Sequence, residues 1–177
     1  MKRRDLLKNG AITSVLLAAA IAHGTAAAAS QTTPLVINAA ILEVTGPTPR
    51  CQSGFGGTIT GQGDSPQLGR VVLIATDCIT QVGTSFNFSD GKLIIMNAGG
   101  DQIFANYSGQ FVPTGNGPEF VFSGATFQIT GGTGRYAKAS GGGSLQGGEN
   151  IATGVGTMKA SGTISYKDKD KSYGERD

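Results

Sequence analysis

Glycine is the residue that most restricts what this chain can fold into. The 177 residues include 29 glycines, about one in six, against an average usage of about 7%. A long helical fold is excluded, because glycine weakens a helix interior by roughly 1 kcal/mol relative to alanine. Collagen is excluded as well, since the glycines follow no three-residue period and prolines number only 6. The Thr, Val, Ile and Phe residues between the glycines favour strands, which leaves an all-β domain.

Short strand patterns alternate with turn signals along most of the chain. The clearest pattern lies at 102–112, where Ile103, Ala105 and Tyr107 alternate with polar residues. Turns are expected at 89–91, where Asp-Gly favours a hairpin, and at 147–150, and strands flank each turn, among them one at 135–145. The pattern predicts seven or eight antiparallel strands in a meander. An eight-stranded meander closes most simply into a barrel, which has no free edge, and a β-sandwich is the alternative.

The first 29 residues have the pattern of an export signal. A basic start with adjacent Arg3 and Arg4 precedes an apolar run at 11–22 that is too short to span a bilayer. The two arginines favour the twin-arginine type over an ordinary Sec signal, and an A-x-A site places cleavage before Ser30 or one residue earlier. The expected partner is the export machinery, and the expected location is the periplasm or the medium. No later segment is apolar enough to be expected to span a membrane.

The expected organisation has four parts. Residues 1–29 form the signal peptide, 30–50 a lead-in strand, 51–166 the β-barrel domain and 167–177 a charged, flexible tail. Removal of the signal leaves 10 basic and 11 acidic residues, a net charge of −1 that argues against nucleic-acid binding. It also removes His23, the only histidine, which excludes catalytic triads and histidine-ligated metals. We expect no metal and no cofactor.

Cys51 and Cys78 are the only cysteines of the chain. Because an even pair in an oxidising compartment most often forms one disulfide, we predict a Cys51–Cys78 bridge. Such a bridge stabilises the fold by about 3–4 kcal/mol in the chain-entropy model. A redox-active pair is the alternative, although no C-x-x-C spacing supports it.

Acid–base chemistry in the mature chain falls to Asp, Glu, Lys, Tyr or Cys. Asp77 lies in an otherwise apolar strand, and Glu119 opens a strand rich in Phe. Either carboxyl would have a raised pKa inside the barrel, which makes both candidate catalytic residues. Other carboxyls, among them Glu149, fall in predicted turns and are expected to be solvated. The candidate ligand-binding residues are Arg70, Asn106, Tyr107, Phe120, Phe122 and Arg135.

A glycine motif near the end of the barrel resembles a known superfamily. Gly131, Gly132, Thr133 and Gly134 begin the segment GGTGRYAKASG, which resembles the C-terminal part of the allene oxide cyclase-like barrels, including plant dirigent proteins. The resemblance implies an eight-stranded antiparallel barrel with a central cavity, often assembled as a trimer. Plant members cyclise an unstable allene oxide or direct the coupling of phenol radicals, without metal or cofactor. The similarity covers 56–166 and includes the segments 68–71, 92–109, 152–154 and 161–166.

Two function classes stay open at this stage, with a third as a weaker alternative. Dirigent proteins carry an arginine after the glycine motif where this chain has Ser140, so their substrates are not carried over. The first class is a barrel that binds a small apolar or phenolic molecule. The second is a cofactor-free isomerase or cyclase that confines its substrate, and a cavity with a buried carboxyl would favour it. The third is a structural or surface-interaction protein whose barrel is filled by side chains.

Overall fold

The computed structural model describes residues 31–166, which form eight antiparallel strands in sequence order. Each strand pairs with the next, and the last pairs with the first, so the sheet closes into a meander barrel as predicted. The predicted signal peptide and tail lie outside the described residues. Within 31–166, no helix is long and apolar enough to cross a membrane. The strands are β1 (Gln31–Pro47), β2 (Phe55–Ser65), β3 (Gly69–Val82), β4 (Ser85–Asn97), β5 (Gln102–Pro113), β6 (Glu119–Gly132), β7 (Ser140–Asn150) and β8 (Val155–Tyr166).

The first strand closes the barrel. β1 has 17 residues and pairs with β2 along its second half and with β8 from Gln31 to Leu42. Leu42, for example, lies opposite Thr60 on β2 and Val155 on β8. The segment expected as a lead-in is therefore one of the eight barrel strands, and the barrel starts before Cys51.

The interior follows the period-two alternation of the strands. On β5, Ile103, Ala105, Tyr107 and Phe111 are buried, as the sequence pattern predicts. The two ends of the barrel differ in composition. We call one the closed end and the other the acidic end. The closed end carries the loops 66–68, 98–101 and 133–139, and the acidic end carries the loops 48–54, 83–84, 114–118 and 151–154.

A short helix plugs the closed end. Tyr136, in the 3-10 helix Gly134–Tyr136, is fully buried, and its ring lies 5.0 Å from the ring of Tyr166. Leu35, Ile37 and Ile164 are also fully buried there. This end is packed mainly with apolar side chains, whereas the buried carboxyl groups of the described residues lie toward the acidic end.

Three local predictions were wrong. The Asp-Gly at 90–91 forms a bulge inside β4 instead of a hairpin turn, with Asp90 at a φ of 51°. β3 and β5 both pair with β4 before and after these two residues, so the strand continues through them. Residues 147–150 continue β7 and pair with β8, so they form no turn. The strand predicted from residue 135 begins instead at Ser140, because burial of Tyr136 draws the preceding residues into the 3-10 helix.

The predicted disulfide is formed at the acidic end. Cys51 and Cys78 are bonded, with their Cα atoms 5.3 Å apart, and both residues are buried. The bond ties the loop between β1 and β2 to β3. In the same loop, Arg50 donates a hydrogen bond of 2.6 Å to the main-chain oxygen of Asp77. Arg50 also donates a hydrogen bond of 3.4 Å to the main-chain oxygen of Asp90 on β4, so the disulfide and the Arg50 guanidinium together hold the loop against the barrel.

Glycine allows β7 and β8 to approach closely. Gly143 lies opposite Gly162, and a Cβ atom at Gly143 would collide with the main-chain oxygen of Ser161 and lie 2.6 Å from Gly162 Cα. Both obstacles are backbone atoms, which cannot rotate away. The strong coiling of these strands therefore requires glycine at this position.

We expect Gly143→Ala to lower the free energy of unfolding by about 1–3 kcal/mol, the usual range for overpacking. Gly46→Ala on β1 is the matched control, because a Cβ atom there meets nothing within 4 Å. Urea unfolding of the two variants measures the difference. Equal stabilities would contradict the close approach of β7 and β8.

Candidate functional site

Three carboxyl groups lie inside the barrel near the acidic end. Glu43 on β1, Asp77 on β3 and Glu149 on β7 are 5%, 1% and 5% exposed. Gly57 on β2 makes room for two of them, because a Cβ atom there would collide with Glu43 Oε1 and lie 3.0 Å from Asp77 Oδ1. We call Glu43, Asp77 and Glu149 the acidic cluster.

Asp77 is held by well-placed donors. Asp77 lies at a β-bulge, where the pairing register between β3 and β4 shifts. Bulges often redirect side chains near functional sites. The Tyr107 hydroxyl donates to Asp77 Oδ2 at 2.8 Å, and the Gly57 N–H donates to Oδ1 at 3.2 Å. Burial raises the pKa of Asp77, while these two hydrogen bonds and the charge of Arg50 oppose the rise. Burial and the neighbouring Asp77 carboxylate raise the pKa of Tyr107, so its hydroxyl stays protonated.

Glu43 and Glu149 lack such donors. Apart from a hydrogen bond between the two carboxyls, Glu43 Oε1, Glu43 Oε2 and Glu149 Oε2 have no hydrogen-bond partner among the described residues. Burial raises the pKa of Glu43 to about 9, helped by the charge of Glu149, a shared hydrogen bond with it and the charge of Asp77. Burial also raises the pKa of Glu149, with the Glu43 contact acting in the opposite direction. Glu43 is therefore protonated at neutral pH, and its O–H is the donor in the hydrogen bond with Glu149.

An apolar cavity adjoins the acidic cluster. The centre of a water molecule can occupy about 20 Å³ of this cavity, so the cavity holds one or two waters. Phe111 lies 5.0 Å from Phe88 and 5.1 Å from Phe122, measured between ring centres, so aromatic rings form one wall. Asp77 and Tyr107 are its two polar lining residues. The apolar lining residues are Ile41, Ile59, Leu73, Ala75, Phe88, Leu93, Phe111, Phe122, Leu145 and Met158.

The structure brings four of the predicted site residues to this half of the interior. Asp77, Tyr107 and Phe122 line the cavity. Phe120 is buried, and its ring centre lies 5.6 Å from that of Phe86. The remaining candidates lie elsewhere on the barrel.

Three candidates lie on the outer surface. Glu119 is exposed and accepts a hydrogen bond of 2.7 Å from Asn150, and Asn106 accepts one of 2.8 Å from Lys92. Arg70 is exposed near the start of β3. Glu119 and Asn106 lie next to the inward-facing Phe120 and Tyr107, so strand alternation places their side chains outside.

The glycine motif and Arg135 belong to the closed end. The Gln102 N–H donates to Thr133 Oγ1 at 2.9 Å, and Gly134 has a φ of 54° with no room for a Cβ atom beside Asp101. Gly131, at a φ of 143°, and Gly132 end β6 just before this turn. Arg135 Nε lies 3.8 Å from Asp101 Oδ2, and the guanidinium lies over the Tyr136 ring. The motif therefore positions the Tyr136 plug.

Sequence reasoning missed Glu43 and Glu149 as site residues. A signal was present for both, because Glu43 continues the inward series that includes Ile41, and Glu149 continues that of Leu145 on β7. The predicted turn at 147–150 removed Glu149 from that series. Alternation continued from Ile41 to position 43, and from Leu145 through 147 to 149, would have placed both carboxyls inside.

Neither a metal centre nor a known relative accounts for the cluster. Within residues 31–166, no three His, Cys, Asp or Glu side chains are placed to hold a metal ion. Comparison of the chain with protein-family models, curated proteins and solved structures gave no match.

We expect Glu43→Gln to stabilise the protein increasingly as the pH rises. The folded protein holds the Glu43 proton up to a pH of about 9, whereas the unfolded chain loses it near 4.5. The free energy of unfolding of the wild type therefore falls by roughly 1 kcal/mol per pH unit across this window. The variant has no proton to lose at this position, so it does not show this fall. Urea unfolding at several pH values between about 4 and 9 measures the difference.

Glu119→Gln is the control for this experiment, because Glu119 is an exposed carboxyl at the same end of the barrel. Its stability should follow the wild-type pH profile. A Glu43→Gln profile parallel to wild type would show that Glu43 ionises normally and would contradict the buried, protonated state.

Proposed function

We propose that the barrel binds a small, largely apolar molecule in its interior, with one polar group of the ligand at the acidic cluster. The observation that carries this proposal is an apolar cavity lined by one buried carboxyl, that of Asp77, and by the Tyr107 hydroxyl that donates to it. A site of this composition, apolar walls with a few converging polar groups, is typical of small-molecule binding.

The energetics of the cluster favour binding over a purely structural role. A buried polar atom without a hydrogen bond destabilises the fold by about 1–3 kcal/mol. Glu43 and Glu149 share one hydrogen bond, and Glu43 Oε1, Glu43 Oε2 and Glu149 Oε2 have no other partner among the described residues. A barrel filled only by side chains would be more stable with apolar residues or amides at these positions. The acidic cluster therefore supports a ligand function over the structural alternative.

The size of the cavity limits the ligand. The open volume of about 20 Å³ admits only a molecule of a few heavy atoms unless side chains move. Phe122 is half-buried and lines the cavity, so it is the side chain best placed to swing aside. The resemblance of the glycine motif to allene oxide cyclase-like barrels implies an interior site of the same general kind.

A cofactor-free isomerase or cyclase is the second candidate, favoured by one specific observation. The protonated Glu43 lies close enough to Asp77 for the Asp77 charge to raise its pKa. One carboxyl can then donate a proton while a neighbouring carboxylate accepts one, which is the arrangement that proton-transfer isomerisation needs. In this alternative Glu43 acts as the acid and Asp77 as the base.

We also propose that the protein is exported. The buried Cys51–Cys78 disulfide is a feature of oxidising compartments, and the basic and apolar segments of 1–29 have the pattern of a signal. Intact mass measurement of protein recovered from the periplasm or medium is expected to give a chain that begins at Ser30 or Ala29. Full-length protein confined to the cytoplasm would contradict export.

The binding proposal predicts saturable binding of small apolar probes inside the barrel. We expect phenol and n-butanol to shift the NMR resonances of Phe111, Phe122 and Tyr107 in the native protein. Ala75→Leu places a larger side chain at the cavity wall and should weaken the binding of both probes at least about tenfold, because it removes the space.

Leu42→Ala on the outer wall is the matched control and should bind like the wild type, because Leu42 is 45% exposed. Native mass spectrometry of the protein purified from its own compartment adds a search for a resident molecule. Absence of any saturable shift with either probe would contradict the binding function.

A further inference from the structure

We propose that two copies of this chain associate through the outer wall of β1–β4 to form a symmetric dimer. This inference goes beyond the proposed function and does not depend on the interior site. Three observations carry it: a contiguous apolar face on one side of the barrel, the area of that face, and two opposite charges at its edge.

Large apolar side chains are exposed on the outer wall of β1, β3 and β4. Leu42 lies opposite Thr60 on β2, and Thr60 lies opposite Ile74. Ile74 in turn lies opposite Ile94, so one row of outward side chains crosses four strands. Val72 and Met96 form a second opposed pair beside this row. We call the following residues, each at least 36% exposed, the outer apolar face: Leu42, Val44, Val72, Ile74, Ile94 and Met96.

The far side of the barrel is polar. Outward positions on β7 and β8 hold mainly serine, threonine, glutamine, glycine and lysine, and the exposed Gln146 lies opposite the exposed Lys159. Exposed apolar residues elsewhere, such as Val121 on β6 and Ile151 in a loop, are scattered, which is normal on a protein surface. The exposed apolar area is therefore concentrated on one wall, as expected of a surface that a partner covers.

The area of the outer apolar face suits a stable dimer. The exposed fractions of its six side chains correspond to roughly 500 Å² of apolar surface, near the upper limit for the largest patch on a typical monomer. Thr58, Thr60 and Gln62 on β2 are exposed between them and extend the face toward the roughly 800 Å² that each partner buries in a standard interface. Charged side chains border the face, as in most interfaces, namely Asp64, Arg70 and Lys92.

Two of these charges indicate how the copies are oriented. Asp64 on β2 and Arg70 on β3 lie directly opposite each other and are exposed, yet no salt bridge joins them within residues 31–166. A two-fold axis that runs along the strands between β2 and β3 places β2 of one copy over β3 of the other. Arg70 then faces Asp64 of the partner subunit, and symmetry repeats this contact, so one interface contains two ion pairs.

The same axis also matches the apolar side chains in size. Near the centre, the large Ile74 faces the smaller Thr60 of the partner subunit. On the flanks, where the barrel wall curves away, Leu42 faces Ile94 of the partner subunit, and these two long side chains reach toward each other. A second copy of the chain therefore complements the face in shape as well as in charge.

Sedimentation equilibrium of the protein tests the association. We expect the wild type to have twice the mass of one chain at about 100 µM, because interfaces of this size bind in the micromolar range or more tightly. Ile74→Glu places a charge at the centre of the face and should weaken the dimer at least about tenfold. Val121→Glu is the matched control and should associate like the wild type, because Val121 is 41% exposed outside the face.

Variants of the two edge charges test the orientation. Asp64→Arg places arginine opposite arginine across the axis, and Arg70→Asp places aspartate opposite aspartate, so each variant alone should dimerise at least about tenfold more weakly than the wild type. An equimolar mixture of the two variants restores both ion pairs and should dimerise like the wild type. This recovery on mixing also shows that each variant is folded.

The outcomes separate the dimer from other uses of the face. A wild type that stays monomeric at about 100 µM overturns the inference, including the case in which it binds phosphatidylcholine vesicles instead. A dimer that Ile74→Glu and Val121→Glu weaken equally lies elsewhere on the barrel and overturns it as well. Failure of the mixed charge variants to associate better than each alone overturns the two-fold arrangement.

Discussion

Closure of β1 against β8 is the constraint on which the rest of this structure depends. The two strands pair from Gln31 opposite Tyr166 to Leu42 opposite Val155, which leaves neither strand with a free edge. An eight-stranded barrel has an interior only wide enough for side chains, so each inward position must suit a narrow space. Where two walls approach closely, as at Gly143 and Gly162, no side chain fits. The glycine content follows from this closure.

The same narrow interior explains why the acidic cluster is unusual. Space inside a small barrel is normally filled by apolar side chains, as it is at the closed end around Ile37 and Tyr136. At the other end, Glu43 and Glu149 occupy inward positions without enough donors to satisfy them. Their carboxyls weaken the fold, since burial without a partner is unfavourable. Groups that reduce stability and adjoin a cavity are typical of sites selected for binding or chemistry.

Much of the fold could be predicted from the sequence, because turn glycines and alternating strands are local signals. The meander follows from them, the Cys51–Cys78 bond from an even pair of cysteines behind an export signal, and Asp77 stood out as a charge in an apolar strand. Whether a given side chain points into the barrel or out of it was harder to predict. A shift of one residue separates the exposed Glu119 from the buried Phe120, and the glycines at 147–148 made a strand resemble a turn. Convergence of Glu43 and Glu149 depends on barrel closure, which no local pattern contains.

Glycine shapes the candidate site as well as the barrel. Gly57 leaves space in which the Glu43 and Asp77 carboxyls approach each other, and its N–H donates to Asp77. A methyl group at this position would occupy the place of Glu43 Oε1 and separate the carboxyls, even if the strands kept their pairing. The effect of the Asp77 charge on the pKa of Glu43 would then weaken. The coiling of the backbone and the chemistry of the interior therefore depend on the same residue type.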